Sequence, residues 1–313
     1  MEQPTVDVQE QPASILGGNP PTRVASPVGP SAAAVSPQTC PTCETAPASN
    51  GGTAARASWV YAIGNIQPRF PNISIEKEFA QATGRDKTPG LTDRQALHAV
   101  LSKPENSYLV PQLCWVMTVE GLETYIVVPR YPAGFSLLVQ ALRPTPQPWD
   151  LDIIIGSKGP IASPGMCNGL TIPIVVFDQM YSFDRDALIK SIPKPEKTSA
   201  KDFAPAAEEL FGRIMQMTDN AGATDEHRAL NYLAVRYPAI YFKVAEEFAQ
   251  NCSLSSVDVH ESALSGTRKL LDVIFSYTNR NTDVVNKFFV IVDVLDEFPF
   301  LVKKLSPFYD CSI

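Results

Sequence analysis

Apolar residues are spaced differently in the two halves of this chain. Between residues 59 and 177 they come in short runs. WVYAIGNI at 59–66 mixes aromatic and β-branched residues and stops at a proline, which predicts a strand. Five further stretches, YLVPQLCWVMTVEG, ETYIVVPR, FSLLVQALRP, DLDIIIGS and LTIPIVVFD, each end in Pro, Gly or polar turn residues. Thirteen of the 28 prolines fall between 59 and 180, which suits many short strands with prolines at edges and in loops. No long helix separates these runs, so a mostly antiparallel sheet is expected. Two short helices interrupt it. One runs from an N-cap at Ser74 to Thr83, with Glu76 and Glu78 in its first turn and Gly84 at its stop. The other runs from Thr92 or Asp93 to Lys103.

After residue 183 the helical period takes over. A helix is predicted over 202–218. In the next, Leu230, Leu233, Ala234 and Tyr237 recur at i, i+3, i+4 and i+7, with Thr224 as N-cap. Pro238 interrupts the pattern, and Ile240, Tyr241, Val244 and Phe248 resume it. Further helices are expected over 256–278 and 283–296. In the last, Val284, Val285, Phe288, Phe289, Val292 and Leu295 make one broad apolar face. Strands followed by helices read as α+β: a β-rich subdomain at 59–182 with two short helices, then an α-helical subdomain at 183–313.

Residues 1–58 carry nine prolines and no aromatic residue. Such a segment buries too little apolar surface to offset the entropy of ordering it, so a disordered arm or linker is expected there.

The net charge of −7, from 33 acidic and 26 basic residues, argues against a nucleic-acid partner and against reliance on anionic lipid. No apolar run approaches the roughly 20 residues that cross a bilayer. The first residues, MEQPTVDVQEQ, lack the basic and apolar regions of a secretory signal, and Cys311 stands one place too near the end for a prenylation box. A cytoplasmic protein is the expectation. Six cysteines in a chain of 313 residues do not suggest a disulfide framework, so reduced thiols are expected. Cys114, inside LCWVM, reads as a small buried hydrophobe.

Candidate chemistry is sparse. Cys40 and Cys43 have the C-x-x-C spacing of half a zinc site, which a second copy of the chain could complete in a homodimer. The best polar cluster lies at 219–228, with Asp219, Asp225, His227 and Arg228. A histidine beside carboxylates suits acid–base work. Turn formation, capping and helix-dipole compensation explain the same residues. His98 and His260 are isolated. Asp150 and Asp152 alternate along one strand face, as paired carboxylates or as solvent-facing residues. Arg69 and Arg85 flank the first helix and are candidates for contact with an acidic partner. The chain lacks a phosphate-binding P-loop, G-x-G-x-x-G, G-x-S-x-G, HExxH and a subtilisin-type serine motif.

Two dense blocks, WVYAIGNIQPRFPNISIEKEFAQATGR at 59–85 and TDNAGATDEHRALNYLAVRYPAIY at 218–241, resemble the C-terminal region of the PatA/PatG-type cyanobactin maturation proteases. The similarity extends over 59–305, and residues 1–58 resemble that family's low-complexity linker. The subtilisin-like protease domain is missing, so its catalytic residues have no counterpart here. The resemblance implies an accessory, non-catalytic binding or docking domain for precursor peptide or for the subtilisin-like maturation proteases. Two alternatives stay open: a peptide-modifying enzyme with an acid–base site near Asp219 and His227, and a zinc-bridged dimer module through Cys40 and Cys43.

Overall fold

The computed structural model describes residues 58–85, 90–191, 200–217 and 219–309. The expected arm at 1–58, apart from Ser58, and the Cys40–Cys43 pair lie outside the described residues. The first strands are β1 (Trp59–Arg69), β2 (Cys114–Val119), β3 (Leu122–Pro129), β4 (Asp150–Ile161) and β5 (Pro173–Asp184). They close into a barrel of order β1-β2-β3-β5-β4, antiparallel except for the β3–β5 pair. Helices α1 (Ile73–Arg85) and α2 (Asp93–Leu101) and a 3₁₀ segment (Pro104–Gln112) link β1 to β2, and α3 (Gly134–Ala141) links β3 to β4. This is the arrangement of an OB-type Greek-key barrel.

Strand alternation fills the barrel. Trp115 and Met117 of β2, Tyr125 and Val127 of β3 and Ile154 of β4 point inward, with Leu138 of α3 in the same cluster. The opposite faces of β1 and β4, carrying Tyr61, Ile63, Ile153 and Ile155, join a second core. Both strands are therefore covered on two sides, which explains their unbroken apolar runs in place of a polar–apolar alternation.

The second core is built on α4 (Arg185–Ser191), α5 (Ala200–Met215), α6 (Asp225–Arg236) and α7 (Ala239–Ala249). Behind them stands an antiparallel sheet of β6 (Cys252–Glu261), β7 (Leu270–Asn279), β8 (Val285–Asp293) and β9 (Phe300–Pro307). The α+β class holds, with sheet contributing more than the sequence pattern suggests. The helices expected over 256–278 and 283–296 are strands. Val284, Val285, Phe288, Phe289 and Val292 fit a helical face by spacing, but β-branched and aromatic residues lose side-chain freedom in a helix and pack well on a pleated surface. The polar turn at 279–284, with Asp283 at φ 55°, folds β8 back on β7. The stretch FSLLVQALRP, expected as a strand, is α3. Phe135, Leu138, Val139 and Leu142 follow the helical period there, and Leu138 and Leu142 are buried. Residues 108–112 belong to the 3₁₀ segment, so β2 begins only at Cys114.

Helix caps follow the sequence closely. Thr92 forms a full capping box with Gln95, and Thr224 accepts from the His227 amide at 3.2 Å. At α1, Asn72 is the cap in place of Ser74, its Oδ1 accepting from Ser74 and Ile75. Cys114 and Cys167 are joined in a disulfide, which corrects the expectation of reduced thiols for these two. Cys114 is buried as expected, and Cys252 is a buried free thiol.

Candidate functional site

The segment 219–228 does its work in two parts. The first seats the chain on the barrel. Asp219 takes a left-handed turn at φ 51°, and Gly222 follows at φ 73°. Gly222 lies so close to Tyr61 and Ala62 that an added Cβ would clash with the Tyr61 carbonyl oxygen. Its own carbonyl accepts from the Tyr61 amide at 2.9 Å. Asn231, fully buried on α6, donates to the Tyr61 carbonyl at 2.7 Å. Asn220 and Asn231 exchange side-chain hydrogen bonds at 2.7 and 3.1 Å. The Tyr125 hydroxyl donates to the Ala221 carbonyl at 2.9 Å. The two dense sequence blocks are thus direct neighbours in space.

The second part is an ionic network at the start of α6. Arg228 is 2% exposed. Its Nη1 donates to Asp225 Oδ1 at 3.0 Å and to the Val294 carbonyl at 2.8 Å. Its Nη2 donates to the carbonyls of Asp296 and Glu297. Lys269 pairs with the other oxygen of Asp225. Burial draws the Arg228 guanidinium below its usual range, and Asp225 opposes that shift; the hydrogen bond from Lys269 to Asp225 raises the Lys269 ammonium. An open cleft of about 550 Å³ lies over this network, lined by Trp59, Thr224, Asp225, Glu226, Arg228 and Lys269 among others.

Of the four candidates for acid–base chemistry, the structure brings Asp225 and Arg228 together and separates the others. Asp219 lines a different groove, between the β2–β3 turn and the end of α5. His227 is half-buried and is not among the residues lining the Arg228 cleft. Arg69 is ion-paired with Glu123 of β3. Arg85 closes α1, and its side chain lies outside the described residues. Asp150 and Asp152 are buried, which corrects the solvent-facing alternative. Asp152 accepts from the Ile66 amide at 2.9 Å and the Ser182 hydroxyl at 2.5 Å, with Arg143 Nη1 at 3.4 Å. Burial nevertheless pushes its carboxyl above the usual range. His98 lies in the last turn of α2, with Ser102 Oγ at 3.5 Å, and His260 stands opposite Asp272 across β6–β7. Among the described residues, no three of His, Cys, Asp and Glu form a group that could hold a metal ion.

Sequence reasoning missed a carboxyl pair. Asp178 of β5 is gripped by Arg130, with Nη2 donating to Oδ2 at 2.8 Å. Glu297, in the β8–β9 connection, is near enough for the two carboxyls to influence each other, and its Oε1 is buried without a hydrogen-bond partner. Partial burial, and then the neighbouring Asp178, push the Glu297 carboxyl up to about 7, while the Arg130 hydrogen bond holds Asp178 below its usual range. These residues are 119 positions apart (297 less 178), and nothing in their local sequence marks them as partners.

The model of the PatG domain family matches residues 59–268. The chain belongs to that family. A solved structure described as the PatG domain of unknown function is 18% identical, with a TM-score of 0.67; the match covers 80% of this chain and 99% of that one. A comparison with curated proteins returns no match. At this identity the likeness shows the fold alone, over four-fifths of the chain. Among the described residues of the PatG domain, no helix is long and apolar enough to cross a membrane.

Proposed function

We propose that this PatG domain is an accessory, non-catalytic docking module in cyanobactin-type ribosomal peptide maturation, recognising precursor peptide or the subtilisin-like maturation proteases. One observation carries the reading. The polar cluster with the strongest claim to acid–base chemistry is spent on holding backbone: Arg228 binds three carbonyls and Asp225, and Asp225 is shared with Lys269. A guanidinium so engaged positions chain; it does not shuttle protons. In the cleft above it Asp296 is paired with Arg268, and Asp225 with Arg228 and Lys269, so Glu226 beside Trp59 is the carboxylate that suits a basic or polar peptide side chain. A cytoplasmic location belongs to the same reading.

Titration calorimetry of the full chain against precursor peptide, and separately against each maturation protease, tests this. The reading expects binding to at least one of them with a Kd below about 100 µM, or roughly −5.5 kcal/mol. It also expects Glu226→Lys to weaken that binding and His227→Ala to leave peptide products unchanged. Absence of heat with every partner up to that concentration removes it. The family's name, in place of any structural feature, supports the cyanobactin context. A zinc-bridged homodimer through Cys40 and Cys43 is a separate reading, decided by elemental analysis of the purified chain.

A further inference from the structure

The outer wall of the barrel carries an apolar row that is hidden. Val116, Ile126 and Ile174 are in register across β2, β3 and β5. Their neighbours Trp115, Met117, Tyr125 and Val127 fill the barrel interior, so strand alternation turns the row outward. Yet Val116 and Ile126 are each only 2% exposed. The β4–β5 connection, residues 162–172, covers them and packs Ala162, Leu170 and Ile172 on the row and on Val128.

This connection has its own internal structure. The Met166 amide donates to the Ser163 carbonyl at 3.0 Å, Gly169 to Pro164 at 2.9 Å and Leu170 to Cys167 at 3.0 Å. At its base the Ala162 amide donates to the Ile172 carbonyl at 2.9 Å. These backbone bonds close on the segment itself and do not reach the wall beneath. The covalent tie to that wall is Cys167, at the middle of the segment, joined to Cys114 at the first position of β2 with their Cα atoms 5.9 Å apart.

We propose that residues 162–172 are a reducible lid over the Val116–Ile126–Ile174 row, fastened by Cys114–Cys167 and released by a thiol reductant. A thiolate of the reductant attacks one sulfur to give a mixed disulfide, and a second thiol displaces it. Two electrons and two protons pass to Cys114 and Cys167, and the reductant leaves as its own disulfide. Once the tie is cut, the segment's few internal bonds open more often as it lifts from its Ala162–Ile172 base. What is uncovered is the β2–β3 wall, the side on which OB-type barrels meet ligands. The inference is independent of the docking reading.

Hydrogen exchange read by mass spectrometry on the full chain, with and without a phosphine reductant, tests it. Exchange at 163–171 should rise about tenfold on reduction while β6–β9 and α5–α7 stay protected. Fluorescence of an apolar dye should rise in parallel. Cys114→Ser/Cys167→Ser should match the reduced protein without reductant. Equal lid exchange in both states would overturn the proposal. So would loss of protection throughout the chain, since the bond would then staple the whole fold. Alkylation of both cysteines in unreduced, denatured protein would overturn it as well, and the wild-type arm decides the matter even if the double variant does not fold.

Discussion

The side-chain amide of Asn231 donates to the backbone carbonyl of Tyr61 at 2.7 Å, joining α6 to the first barrel strand across 170 residues of sequence. Both groups are buried, and Asn231 exchanges two further bonds with Asn220. Asn231→Leu leaves the Tyr61 carbonyl and the Asn220 amide short of partners in an apolar setting. The expected cost is about 2–3 kcal/mol, read as a lower urea midpoint. A change under about 0.5 kcal/mol would show that the clasp is incidental.

Gly222 packs against the same carbonyl. Gly222→Ala brings a Cβ into the Tyr61 oxygen and puts a side chain on a φ of 73°. The backbone strain alone costs about 1–3 kcal/mol, and the clash adds to it. By contrast Gly165, with open space around it, should tolerate alanine within about 0.5 kcal/mol. Thermal unfolding of the two variants side by side checks the contrast.

Arg228→Ala should destabilise by about 3–5 kcal/mol, because it takes the buried donor from three carbonyls and one of the two cationic partners from Asp225. Lys269→Ala removes a partly exposed partner and should cost no more than about 1 kcal/mol. Denaturant unfolding gives both values. If the order were reversed, Arg228 would be free for a role other than holding chain.

Glu297 ties stability to pH. Its folded carboxyl titrates at about 7 against an ordinary value of 4.5, so the folded state holds the extra proton between those values. Its contribution is fully present below 4.5 and is lost as pH rises toward 7. Asp178 works in the opposite sense: its depressed carboxyl contributes above 3.8 and loses that contribution only as pH falls through its lower folded value. The two windows do not overlap. Glu297→Gln, which cannot ionise, should flatten the fall in urea midpoint between pH 5 and 7 relative to wild type. An unchanged slope would mean that other groups set it.

Much of the architecture was legible in the residues. The run at 59–66, the cap at Thr224 and the face Leu230–Leu233–Ala234 each announce their element because the determining contacts lie within one turn or one strand. The segments misread were those where two periods fit the same letters. Residues 283–296 satisfy a helical face, and only pairing with Leu270–Asn279 shows that both faces of the strand are needed. The candidate site divides in the same way. Asp225 and Arg228 are three residues apart, so their pairing is readable from helix geometry, whereas Lys269 and the Val294 carbonyl come from distant segments, just before β7 and just after β8.

By itself the sequence determined the family, the α+β class and the cap at Thr224, because these depend on neighbours in the chain and on composition. The tertiary structure decided that the barrel closes, that Cys114 meets Cys167, and that Asp178 meets Glu297. Such meetings depend on how strands stack through a shared core, and residues far apart in sequence carry no local mark of the partner that packing brings to them.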